Sequence, residues 1–132
     1  MRRALIALAT TAVFLGAAHA QTAETTTTQE FVTAQPTDVL SYNLVGLDIK
    51  NSADETVGEI KDLVLSNDTL AGYIVSVGGF LGMDEHYVIV SPKAVKITYV
   101  ENDKKWTATM DATKEQLKAA PGFKYEGRWD RK

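Results

Sequence analysis

Val75-Ser-Val-Gly-Gly-Phe-Leu-Gly82, followed after three residues by His86-Tyr-Val-Ile-Val-Ser-Pro92, decides the fold of this chain. The first stretch reads as a β-branched strand that runs into a glycine-rich corner, and the second as the strand that returns from it. Glycine reaches positive φ without steric cost and lets another segment approach the backbone, so Gly78, Gly79 and Gly82 mark a sharp change of direction. Phe80 and Leu81 stand where an ordinary loop carries polar residues. Gly78, Gly79, Phe80, Leu81 and Gly82 therefore form a candidate interaction corner, with Phe80 expected to pack inward and Leu81 to face solvent. A phosphate loop is a poor reading of the same glycines. Such a loop leads from a strand into a helix and supplies a lysine followed by serine or threonine, whereas here a strand follows.

Working outward, the texture from Tyr42 onward is of short apolar segments separated by turn residues. Leu44-Val-Gly-Leu-Asp-Ile-Lys50 places Val45, Leu47 and Ile49 on one face, and Asn51-Ser-Ala-Asp-Glu55 turns the chain into a second strand, Thr56 to Leu65. In that strand the apolar phase slips: Ile60 and Val64 share one face, Leu63 and Leu65 the other, which indicates a bulge or burial on both sides. Ser66-Asn-Asp-Thr69 is the next turn. It leads into a third strand, Leu70 to Val77, with Tyr73, Val75 and Val77 on one face. Pro92 ends the fourth, and Ala94 to Val100 and Lys105 to Met110 form a last hairpin in which Asn102 and Asp103 accept left-handed conformations.

Six short strands without intervening helices predict an all-β fold, a small antiparallel sheet curled into a barrel over residues 41–110, with closure removing its edges. Residues 111–132 are read as a short helix and a tail. Asp111 or Thr113 caps the helix, Leu117 and Ala120 pack it, and Pro121-Gly122 stops it. The tail carries Phe123, Tyr125 and Trp129 among charged residues, and the burial of aromatic rings favours its folding back onto the sheet.

The first 20 residues have the form of a secretory signal: Arg2 and Arg3, an apolar stretch from Ala4 to Ala18, and the small-x-small site Ala18-His-Ala20 before Gln21. Residues 21–40 read as a threonine-rich flexible linker. Removing 20 of the 132 residues leaves 112, enough for one domain with one modest core. With Arg2 and Arg3 gone, 12 of the 14 basic residues stand against 17 acidic ones, a net charge of −5. An acidic chain gains no counterion release from nucleic acid and no attraction to an anionic membrane, so neither is an expected partner. The chain has no cysteine, which removes disulfides, thiol nucleophiles and thiolate metal sites together. The expected location is the periplasm, with no membrane insertion after signal removal.

Three constellations invite a chemical reading. Asp84, Glu85 and His86 offer carboxylates and an imidazole, but in an extended segment only Asp84 and His86 converge, two ligands where a stable zinc site needs three or four. Asp48, Glu59 and Asp62 do not make an acid–base pair without a cleft; Asp62, in register with Ile60 and Val64, is read as a hydrogen-bonded carboxylate that pins a neighbouring turn. No serine stands in a nucleophile-elbow context. The residues thus give no catalytic site, no metal site and no cofactor.

Leu44-Val-Gly-Leu-Asp48, Val57-Gly-Glu-Ile-Lys-Asp-Leu-Val-Leu65, Val75 to Gly82 and Val88-Ile-Val-Ser-Pro92, in that order, resemble the PRC-barrel family. The family takes its name from the cytoplasmic domain of the photosynthetic reaction-centre H subunit and includes the C-terminal domain of a ribosome maturation factor. The resemblance covers Leu44 to about Val100, and Thr113 to Pro121 resembles the ending of exported bacterial members. It implies a β-barrel that binds other proteins without catalysis, here a partner in the cell envelope. Two departures stand out: Ala53-Asp-Glu55 lacks a glycine after the aspartate, and Met83-Asp-Glu-His86 replaces a more usual glycine and lysine. The competing expectations are a metal-dependent sensor or enzyme centred on Asp84 and His86, and a structural envelope protein that self-associates through a barrel edge.

Overall fold

The structure, a computed structural model, describes residue 16, residues 31–78 and residues 85–131. The signal, most of the linker, and Gly79, Phe80, Leu81, Gly82 and Asp84 lie outside the described residues. Within the compact unit Gln35–Lys132 the strands are β1 (Asp48–Lys50), β2 (Thr56–Ser66), β3 (Thr69–Val77), β4 (His86–Val90), β5 (Val95–Val100) and β6 (Lys105–Met110). Two short helices, α1 (Ser41–Leu44) and α2 (Lys114–Ala119), flank them.

The fold is mainly β, a single six-stranded sheet in the order β4-β3-β2-β1-β6-β5. Two details differ from the expected closed antiparallel barrel. β1 and β6 run parallel, with Ile49 opposite Ala108, and β4 and β5 are the edge strands, not paired with each other among the described residues. The chain passes from β4 to β5 through a 3-10 turn, Pro92–Ala94, where proline has no N–H for a ladder and the Ser91 hydroxyl accepts the Lys93 N–H. The β5–β6 hairpin then delivers β6 alongside β1 in the same direction. The sheet is nevertheless curled. All six strands and both helices contribute to one core, from Leu44, Ile49, Val57 and Ile60 to Val75, Val77, Val88, Val95, Ala108 and Leu117. A sheet that sends residues from every strand into one cluster must wrap around it.

The start of the domain departs from the sequence pattern. Ser41–Leu44 forms one helical turn, the Val45 N–H bonds the Ser41 carbonyl, and Gly46 takes φ +93°. Leu44 is therefore buried and Val45, expected on the core face, is 48% exposed. β1 is left with three residues, of which Ile49 faces inward.

The phase slip in β2 is a bulge at Ile60/Asp62, where Lys61 is the extra residue; a second, opposite Val64/Leu65, has its extra residue, Ala71, on β3. An extra residue reverses which side the following residues face. Ile60 opposite Val75 and Leu63 opposite Tyr73 pack on the core, while Asp62 opposite Ile74 and Val64 opposite Gly72 lie on the outer face. Asp62 thus does not share a side with Ile60; it is exposed, and its carboxylate accepts the Leu63 N–H at 2.8 Å beside the bulge.

Short polar residues close the turns. The two-residue turn between β2 and β3 uses positive φ at both Asn67 and Asp68, the geometry that suits the twist of a hairpin. In the first turn the positive φ, +61°, falls on Asp54 itself and not on the position after it, where a glycine was expected, and the Asn51 side-chain oxygen accepts the Ala53 and Glu55 N–H groups. In the β5–β6 turn the left-handed residue is Lys104, at φ +50°, not Asn102 or Asp103: a four-residue loop places that conformation at its end. Thr113 caps α2 in a reciprocal box with Gln116, and Leu117 and Ala120 pack as the pattern predicts.

Candidate functional site

β3 is buried on both sides. Tyr73, Val75 and Val77 face the core, as their spacing predicts, yet Gly72, Ile74 and Ser76 on the opposite side are also buried. Over Ile74 the cover on that outer face is the C-terminal tail. Phe123 forms a single antiparallel bridge to Tyr87, its N–H bonding the Tyr87 carbonyl at 2.6 Å. From there the rings run as a chain: Tyr87 edge-on to Tyr125 at 5.2 Å, Tyr125 edge-on to Phe123 at 5.0 Å, and Phe123 against Trp129 at 5.8 Å. Each such pair adds about 0.5–1.5 kcal/mol beyond the area it buries. Gly127, at φ +62°, opens the 3-10 turn that brings Trp129 back towards the sheet, and the Arg131 guanidinium lies 4.6 Å from the centre of the Tyr125 ring.

The tail leaves a groove of about 590 Å³ between itself and the sheet. Val64 and Leu65 line it from β2, Ile74 from β3 and Ile89 from β4, and Phe123, Tyr125 and Trp129 complete it, with Asp62, Asp130 and Arg131 among its charged lining. Leu65 is 69% exposed, Trp129 63% and Ile89 47%. Three large apolar side chains open to water in one groove form a patch rather than the scattered exposure usual on a protein surface. The Tyr125 hydroxyl is buried with no hydrogen-bond partner among the described residues, and burial, with the Asp62 charge, pushes its ionisation up.

Beside the groove, Tyr87 donates its hydroxyl proton to the Glu85 carboxylate. That bond, with help from Ser76 and the Lys61 and Arg131 cations, holds the Glu85 carboxyl below the usual carboxylate range, and in turn raises the Tyr87 phenol. His86 bonds the Ala120 carbonyl through Nε2 at 3.1 Å, so that nitrogen carries the proton and pins the end of α2. A Cβ on Gly122 would come 2.9 Å from the same ring. Asp84, the other half of the metal pair considered from the sequence, lies outside the described residues.

Of the predicted interaction corner only Gly78 is described; Gly79, Phe80, Leu81 and Gly82 lie outside. Gly78 has φ +70°, a conformation that favours glycine, while a Cβ there would meet only the movable end of the Lys118 side chain, at 3.1 Å from Cε. Asp48 and Glu59 lie opposite each other on β1 and β2, and Glu59 is ion-paired with Lys61 at 2.9 Å. Leu65 and Ile89 were not legible as surface residues, nor Ile74 as a residue of the outer face. The one available signal was the phase slip in β2, which says that apolar residues serve both faces.

No curated protein matches the chain. The sequence model of the PRC-barrel domain matches residues 36–117, more than half of it, from the turn before α1 to the buried Leu117 of α2. With that match on the curled six-stranded sheet, the chain belongs to the PRC-barrel family.

Proposed function

We propose that this chain is a non-catalytic module of the bacterial cell envelope, exported to the periplasm, that works by binding a protein partner through the outer-face groove. The observation that carries the reading is the convergence of Leu65, Ile89 and Trp129, all substantially exposed, on one groove. Aromatic anchors in such a setting supply large contact area with few rotatable bonds, which is why they recur at the centres of protein interfaces. The family's role as an interaction domain supports the class of function. Export rests on the charged, apolar and small-residue segments of residues 1–20, and processed protein would begin at Gln21.

The test is capture from an envelope extract with immobilised wild type, Leu65→Asp and Trp129→Ala, with melting temperatures measured alongside. Both side chains are exposed, so both variants should melt close to wild type and retain little of what wild type retains. An unchanged set of captured proteins would remove the groove as the binding surface. Mass analysis of exported protein that still carried Met1 would remove the cleaved signal.

A further inference from the structure

The outer edge of β4 has an unfilled position beside the groove. The Tyr87 carbonyl bonds Phe123, so the bonding groups of Tyr87 point away from β3, and by the two-residue period of a strand so do the N–H and carbonyl of Ile89. The tail fills the first position and leaves the second. Among the described residues no donor or acceptor bonds the Ile89 main chain on that side. The connection from α2 does not reach it, because Ala120 and Gly122 both lie against the His86 ring, at the first residue of the strand. The Ile89 side chain lines the groove.

Resting on the groove being a protein-binding surface, we infer that the partner presents an extended segment that adds as a strand to the β4 edge at Ile89, with alternate apolar side chains entering the groove and a lysine or arginine beside them meeting Asp62 and Asp130. Main-chain bonds to an exposed edge give such binding its affinity, and pockets for alternate side chains give it selectivity. Charge favours this occupant over a second copy of the chain. Asp62 and Asp130 have no ion-pair partner among the described residues, whereas Arg131 is already placed over Tyr125. A second copy paired across a two-fold axis at Ile89 would bring its own Asp62 and Asp130 to the same place, while a basic segment meets opposite charge.

The experiment uses the full chain and an eight-residue acetylated peptide whose alternate, groove-facing positions carry valine and, at one of them, lysine, with threonine at the positions between. Controls are the same peptide with glutamate for lysine, and with its edge-facing amides methylated. Binding is followed by tryptophan fluorescence and by amide hydrogen exchange in NMR. Saturating peptide should slow exchange of the Ile89 N–H at least tenfold while leaving Val88 and Val90, already paired with β3, unchanged. The methylated peptide should bind about tenfold more weakly or worse, since it loses main-chain bonds, and the glutamate peptide should also be weaker. If the peptide binds, loses binding in Leu65→Asp, but neither protects Ile89 nor suffers from methylation, strand addition is wrong and the groove reading stands. Binding that survives both Leu65→Asp and Trp129→Ala overturns both. No binding of any peptide, or dimerisation on sedimentation that Leu65→Asp abolishes, overturns the basic segment as occupant.

Discussion

The two faces of β3 are buried equally and by different means. Val75 and Val77 on the inner face are covered by the curl of their own sheet, whereas Ile74 on the outer face is covered by a tail that arrives from the far end of the sequence. The inner cover is complete and comes from every strand. The outer cover is partial, and the part it leaves open is the groove. The difference teaches that burial along one strand serves two purposes: on one side it is the fold, and on the other it frames a surface.

The largest expected effect is on the inner side. Ile60 is fully buried, and Ile60→Ala should cost about 2–5 kcal/mol through lost burial and the cavity left behind, read by denaturant melting. A cost below about 1 kcal/mol would mean that the sheet is not curled around this core. Next comes Gly58→Ala. The new methyl would stand 2.5 Å from Val75 Cγ1 and 2.9 Å from the Ser76 carbonyl oxygen, on fixed strands, and overpacking of this kind costs about 1–3 kcal/mol.

Phe123→Ala on the outer side should be milder than Ile60→Ala, about 1–3 kcal/mol, because Phe123 is half-buried and its two ring contacts are worth about 0.5–1.5 kcal/mol each. It should also quicken amide exchange in the tail while β5 and β6 stay protected. A loss as large as that of Ile60→Ala, with exchange raised throughout, would merge the two sides into one core.

The smallest effect is one of pH. Because the Glu85 carboxyl is held below its usual range in the folded protein, its bond from Tyr87 stabilises above that range and is lost as pH falls through the lowered value. The raised Tyr87 phenol has the opposite sense, contributing below the ordinary phenol range and losing its contribution as pH rises through its raised value. Melting temperature plotted against pH should therefore fall less steeply on the acid side in Glu85→Gln than in wild type. Parallel curves would show that the bond carries no pH-dependent stability.

How far the sequence could be read follows the same division. Period-two spacing and turn chemistry placed β3 to β6, and the Thr113 cap and Pro121 bounded α2, because these signals are local. The parallel pairing of β1 with β6 was hidden, since β1 has three residues and its partner lies almost sixty residues away. Val45 was misplaced for a local reason of another kind: a helical turn and the positive φ of Gly46 reset the phase before the strand begins. The groove was the least legible part. The folding back of Phe123, Tyr125 and Trp129 was expected from their aromatic character, but which face they would cover depended on the bulge at Ile60/Asp62 that sends Asp62 and Val64 outward.

The most direct test of the central claim, that the outer groove binds and the inner core folds, is the Leu65→Asp variant in parallel melting and capture measurements. Leu65 is 69% exposed, so the account predicts a melting temperature within a few degrees of wild type together with loss of the captured partner. A variant that melts like wild type and still captures the same partner would contradict it.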